Sequence, residues 1–231
     1  MKNKVRNILT ICIVLLSILT SSCGEKQFID KDESAKQEII KRFTESPVYS
    51  LTNDEVIKAF SGSFRERYDE FQKITWFSHI NKPKTRYENA IYCYFGKRDF
   101  GDDILRVVIQ YYTTDPGIDS YAVEDPFFSG LLNKAIFVID GENITIDFLE
   151  IDEEGKCEIE ESLFSSKYAE WYDIKVGNSI SYDMIKKIAN AKTVKVRLDG
   201  DFITKDRTLT EKELKTFRDS YYYSLLTSIV N

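Results

Sequence analysis

The chain reads as an α+β domain, a mostly antiparallel sheet with N-terminal and C-terminal helices packed against it. Three features point there. Apolar residues recur at helical spacing behind capping-box patterns at both ends of the chain. Between Trp76 and Leu198 the period falls to two, in β-branched and aromatic runs broken by Gly, Asp and Asn. The connections there are short, which favours antiparallel pairing. A composition 42% hydrophobic and 13% aromatic, with 10 Gly and 4 Pro in 231 residues, excludes collagen-like, low-complexity and largely disordered chains.

The elements follow in order. Ser34 with Gln37 predicts a helix start, with Ile39, Ile40 and Phe43 on the apolar side and a stop before Pro47. Thr52 with Glu55 opens a second helix. Val56, Phe60, Phe64, Tyr68, Phe71 and Ile74 follow at spacings of three and four, so residues 34–75 read as helical, with a bend at Gly62. Strands are predicted near 90–96, 104–112, 135–140, 143–150, 157–163, 170–176 and 193–198, within a mainly strand region 76–198. Residues 90–95 are apolar on both faces and read as a central strand. Val194, Val196 and Leu198 alternate with Lys195 and Arg197, so that strand has one exposed face. Asp140-Gly141 and the stretch Asp152 to Gly155 carry hairpin chemistry, because Gly supplies a positive φ. Ser179 or Ser181 starts a helix over 179–190, with Ile180, Met184, Ile185 and Ile188 inward. The last helix, 210–229, begins at the capping box Thr210 with Glu213 and carries the stripe Leu214, Phe217, Tyr221 and Leu225. Without internal repeats, 34–231 reads as a single domain.

Residues 1–22 hold Lys2, Lys4 and Arg6, the apolar run Ile8 to Leu19, and Thr20-Ser21-Ser22, the three-part form of a secretory signal. The uncharged segment Asn7 to Ser22 is shorter than the ~20 residues a membrane-spanning helix needs. The stretch Leu19-Thr20-Ser21-Ser22-Cys23-Gly24 resembles the lipobox of bacterial lipoproteins, with Thr20 where that family usually has Leu. The resemblance implies removal of residues 1–22, lipid on the sulfur and amino group of Cys23, and a lipid-anchored place in the bacterial cell envelope. The polar residues 23–33 then form a lipidated tether, and the membrane becomes a partner through acylated Cys23. Acyl chains contribute about 0.8 kcal/mol per buried methylene, and two suffice for stable anchoring. Losing the three leader cations takes the formal charge from −6 to −9, which argues against nucleic acid as a partner.

No motif selects a reaction. His79 is the only histidine, and no GxSxG, HExxH, P-loop or GxGxxG pattern occurs. With neither CxxC nor a Cys/His cluster, no metal or cofactor is called for. His79 reads as an ordinary, partly exposed side chain beside the loop Asn81 to Thr85, without chemistry, because on a strand Ser78 points to the opposite face. With Cys12 in the leader and Cys23 acylated, Cys93 and Cys157 remain. They could form one disulfide, or Cys93 could serve as a small buried hydrophobe. The acidic stretch Glu150 to Glu161 reads as a solvated hairpin, its spacing unlike an EF-hand. Lys82, Lys84 and Arg86 read as surface rather than as a phosphate or headgroup site.

The 14 Tyr, 15 Phe and 2 Trp suit a core of sheets and helix faces, with runs at Tyr92 to Phe95, Tyr111-Tyr112 and Tyr221 to Tyr223. Exposed Tyr and Trp can also stack on sugars, and the lipoprotein resemblance implies glycan capture in general. Exposure of Trp76 and Trp171 therefore decides between core and platform. The expectation is a lipid-anchored, non-enzymatic domain binding a protein or glycan through its sheet face or loops. The alternative is an envelope hydrolase acting on glycan or peptidoglycan through paired carboxylates, for which the sequence selects no catalytic residues.

Overall fold

The computed structural model describes residues 31–45, 51–114, 132–148, 156–162, 165–177, 179–201 and 203–229. Residues 1–22, expected to be a leader, and Cys23 lie outside them. Helix α1, Lys31–Glu45, begins three residues before Ser34, so the Ser34–Gln37 box does not form and the expected tether loses its last three residues to helix. Gln37 Nε2 instead donates to Glu33 Oε1 at 2.8 Å. Ile39 and Ile40 are buried as expected, and so is Lys36.

Helix α2, Asn53–Phe60, opens on the expected capping box, with Thr52 N donating to Glu55 Oε2 and Glu55 N to Thr52 Oγ1. It ends far short of residue 75. After one 3-10 turn, Ser61–Ser63, the chain forms an antiparallel hairpin of β1, Phe64–Asp69, and β2, Ile74–His79. The stripe from Phe64 to Ile74 is thus not helical. Gly62 between two serines weakens helix propagation, and tertiary packing then overrides periodicity. Strand geometry stacks Phe77 on Phe95 at 4.6 Å and sets Phe64 edge-on to both, whereas Tyr68 and Phe71, which the helix would have buried, are exposed. Asp69 Oδ1 closes the turn by accepting from Phe71 N and Gln72 N.

The chain builds two antiparallel sheets where one was expected. The larger has the order β1-β2-β3-β4-β8-β7, with β3 Ala90–Arg98, β4 Ile104–Thr113, β7 Lys156–Ser162 and β8 Ser165–Lys175. The smaller has the order β10-β9-β5-β6, with β5 Lys134–Ile139, β6 Glu142–Asp147, β9 Val194–Asp199 and β10 Thr204–Thr208. Strand β3 is internal, as its two apolar faces predict, and β9 alternates buried with exposed residues. The β5–β6 turn has both central residues left-handed, Asp140 at φ 50° and Gly141 at φ 87°, the twist that two-residue hairpins need. Strands β6 and β7 belong to different sheets, so they do not form the expected hairpin; Glu158, Glu160 and Glu161 lie on β7, which pairs with β8 instead. The turn at Asp152 to Gly155, and the side chains of the acidic stretch, lie outside the described residues.

Helix α3, Tyr182–Asn190, is capped by Ser181, whose Oγ accepts from Met184 N at 3.1 Å. Helix α4, Glu211–Ile229, starts on the expected Thr210–Glu213 box. Leu214 and Phe217 are buried, but Tyr221 and Leu225 are only half-buried, and polar residues take their place inside. The reason is a gap in the sheet. Strand β2 pairs with β3 only from Ile74↔Arg98 to Phe77↔Phe95, which leaves the first half of β3 without a strand on that side. Helix α4 fills it. Glu213 Oε1 accepts from Ile91 N at 2.7 Å, Thr216 Oγ1 accepts from Cys93 N at 3.1 Å, and Ser220 Oγ donates to Cys93 O at 3.1 Å. Backbone groups that would otherwise be buried unpaired are thereby satisfied.

One continuous core joins helices and both sheets. Cys93 lies in it as a free thiol, and burial pushes its pKa far up. Strands β3 and β7 are three positions apart, about 14 Å at the usual spacing, so a Cys93–Cys157 disulfide is out of reach. Among the described residues no helix is long and apolar enough to cross a membrane.

Candidate functional site

Helix α4 covers one face of the six-stranded sheet, and the opposite face forms an open groove of about 840 Å3. Alternation along each strand decides what lines it. Arg65 and Arg67 come from β1, Trp76 from β2, Tyr92 and Tyr94 from β3, Arg106 from β4, and Trp171 and Asp173 from β8. Both tryptophans are half-exposed and face the same groove. The aromatic runs are therefore divided: Phe95, Tyr111 and Tyr223 enter the core, whereas Tyr92 and Tyr94 join the tryptophans outside.

Gly96, the register partner of Trp76, makes the ring surface possible. A Cβ there would lie 2.7 Å from the indole and from Ile74. Its bare backbone lets the indole lie across β3 with its centroid 5.6 Å from that of Tyr94. The floor beneath is pinned. Tyr94 donates to Asp173 Oδ2 at 2.7 Å, Arg106 Nε donates to Asp173 Oδ1 at 2.8 Å, and the same guanidinium reaches the Asp173 carbonyl at 2.7 Å. Burial, with the Asp173 charge second, pushes the Tyr92 phenol up to about 12, so it remains a neutral donor. Among the described residues neither the Tyr92 hydroxyl nor the Trp171 indole N–H has a protein partner.

Residues 80–89 make one wall. Gln110 Nε2 donates to the carbonyls of Thr85 and Glu88, and Glu88 Oε1 accepts from the backbone N–H groups of Lys84 and Thr85. Asn89 exchanges two 2.9 Å bonds with the backbone of Tyr112. These internal bonds hold the wall in place, which lowers the ordering cost of binding. Lys82, Lys84 and Arg86, read from sequence as plain surface, converge here with Arg65 and Arg67 of β1. On a helix, residues two apart such as Arg65 and Arg67 do not face each other. Only the period-two reading Phe64-Arg65-Glu66-Arg67 sets them side by side on a sheet face.

A second hollow, about 550 Å3, lies on the outer face of the smaller sheet. It has no aromatic lining, and its Arg197 is already paired with Asp206 through bonds of 2.6 and 2.7 Å.

His79 departs from expectation in burial and in company. It is 1% exposed, packs edge-on against Phe64, and directs Nε2 at Asp219 Oδ2, 3.1 Å away. Its Nδ1 accepts from Asn81 N at 3.0 Å, which assigns the proton to Nε2. Lys36 of α1 donates to the same Asp219 oxygen at 2.7 Å and to Ser63 Oγ. The cluster ties α1, β2, α4 and the start of the wall together inside the protein. Nothing in the sequence marks Lys36 or Asp219, which are 183 positions apart. Among the described residues the other buried carboxylates serve elsewhere: Glu170 accepts from Tyr168 and Tyr172, and Glu213 from Ile91 N and Arg207.

Comparisons of the chain with protein-family models, with curated protein sequences and with solved structures find no match.

Proposed function

We propose that this chain is a lipid-anchored, non-enzymatic domain of the bacterial cell envelope that binds a glycan across the outer face of its six-stranded sheet. The supporting observation is the groove itself, where four half-exposed aromatic rings share one side of a sheet with hydrogen-bond donors available between them. Ring faces suit the C–H faces of sugars, and indole and phenol donors suit their hydroxyls. A hydrolase would need two carboxylates converging on one cleft. Among the described residues the buried carboxylates Glu170, Glu213 and Asp219 sit in three separate hydrogen-bond sets beneath the opposite face, and Asp173 in the groove is bound by Tyr94 and Arg106, which favours binding over hydrolysis.

Affinity electrophoresis through gels containing individual polysaccharides tests the reading. At least one polymer is expected to retard the protein. Trp171→Ala is expected to weaken that interaction about tenfold, equivalent to about 1.4 kcal/mol, at unchanged melting temperature. Equal retardation of the variant, or retardation by no polysaccharide, would remove the groove from consideration.

The anchor is tested separately. Mass spectrometry of the mature amino terminus is expected to find Cys23 acylated, and Cys23→Ser to release the protein from membranes. An unmodified cysteine, or cleavage elsewhere, would leave a secreted protein without an anchor.

A further inference from the structure

We infer that the glycan bound in the groove is acidic, a polysaccharide bearing carboxylate or sulfate groups. The inference rests on the glycan-binding reading above and adds the chemical class of the ligand.

Charge is the observation. The chain carries a formal −6, yet the groove lining holds six Lys and Arg against three Asp and Glu. The acids do not offset the excess where it lies. Asp173 is engaged by Arg106, Asp69 Oδ1 caps the β1–β2 turn, and Glu66, opposite Phe77, alternates to the other face of β1 from Arg65 and Arg67. Among the described residues Arg65, Arg67, Lys82 and Lys84 have no carboxylate within ion-pair distance. Burial, with the charges of Arg65 and Arg67 next, depresses the Lys82 pKa, so the groove already crowds like charges. An anion entering there relieves that repulsion.

Geometry restricts the anion to one held beside rings. Arg65 and Arg67 are two residues apart on β1 and project to the same face about 7 Å apart, across from Lys82 and Lys84 on the wall. The aromatic floor runs between these charges and Trp171. A chain of sugars with a charged group on successive units would lay its C–H faces on the rings and present its anions to the rim. Single-stranded nucleic acid also combines rings with charge, and an anionic membrane surface also seeks cations. The exported location proposed above favours the polysaccharide over a nucleic acid, and a recessed floor suits a single chain better than a lipid surface.

The test uses the full-length mature chain with Cys23→Ser, so that no lipid interferes. Binding is measured by titration calorimetry to polygalacturonate and dextran sulfate beside their neutral counterparts, methyl-esterified pectin and dextran. One acidic polymer is expected to bind at least about tenfold tighter than its neutral counterpart at low salt and to lose about tenfold at about 0.5 M NaCl. Arg67→Gln with Lys84→Gln is expected to abolish that preference while leaving the circular-dichroism melting curve unchanged. Equal binding to acidic and neutral polymers, insensitive to salt, would overturn the acidic ligand while sparing the glycan reading. Binding to neither class would end both. Tighter binding to phosphatidylglycerol vesicles or to an oligodeoxythymidine would overturn the inference in favour of those ligands.

Discussion

Asp219→Ala is expected to destabilise the protein by about 3–5 kcal/mol, because it leaves the buried Lys36 ammonium without its counter-charge. Both side chains are almost wholly withdrawn from water, and water cannot replace the lost partner. His79 would lose its acceptor in the same stroke. Removing both charges, in Lys36→Met with Asp219→Ala, is expected to cost clearly less, since the penalty lies mainly in the orphaned charge. Urea denaturation of the three proteins checks both statements, and a single-variant loss below about 1 kcal/mol would contradict the first. A pH dependence accompanies the cluster. Burial by itself pushes the Asp219 carboxyl up, but the hydrogen bond from His79 and the charge of Lys36 outweigh it and hold the group below its ordinary 3.8. A carboxyl depressed on folding contributes stability above its unfolded pKa and loses it as the pH falls through the folded value. The wild-type protein is therefore expected to lose stability on the acid side of pH 4 more steeply than Asp219→Ala.

Phe217→Ala is expected to cost about 3–5 kcal/mol, the range for truncating a fully buried aromatic side chain. Phe217 is completely inaccessible in the layer between α4 and the sheet. Neighbours held by the polar contacts of Glu213, Thr216 and Ser220 to β3 cannot readily collapse into the space. Leu225→Ala, on the half-buried side of the same helix, is expected to cost less than half as much. A loss below about 1 kcal/mol for Phe217→Ala, the range of most surface changes, would mean that α4 is peripheral.

Much of the fold was legible because its signals are local. A capping box links residues three apart, and two of the three proposed, Thr52–Glu55 and Thr210–Glu213, form as read. The third failed because α1 starts upstream of Ser34. Two-residue alternation located seven strands, and Asp140-Gly141 its turn, since backbone sterics alone admit few residues there. Of the candidate site, residue type singles out Trp76 and Trp171, and Lys82, Lys84 and Arg86 stand out only as surface, whereas nothing local marks Arg65 and Arg67.

The amino-acid order determines the α+β class, the starts of α2, α3 and α4 and the central place of residues 90–95, because these follow from interactions within a few positions. Contacts between distant residues decided the rest. Short of such contacts, Phe64 to Ile74 satisfies a helical stripe as well as a hairpin, and only the packing of Phe64 and Phe77 on Phe95 selects the strands. That selection turns Arg65 and Arg67 onto the face of the tryptophans. Lys36 and Asp219 likewise acquire meaning only where α1 meets α4, since the attraction between two charges depends on their separation in space and not along the chain.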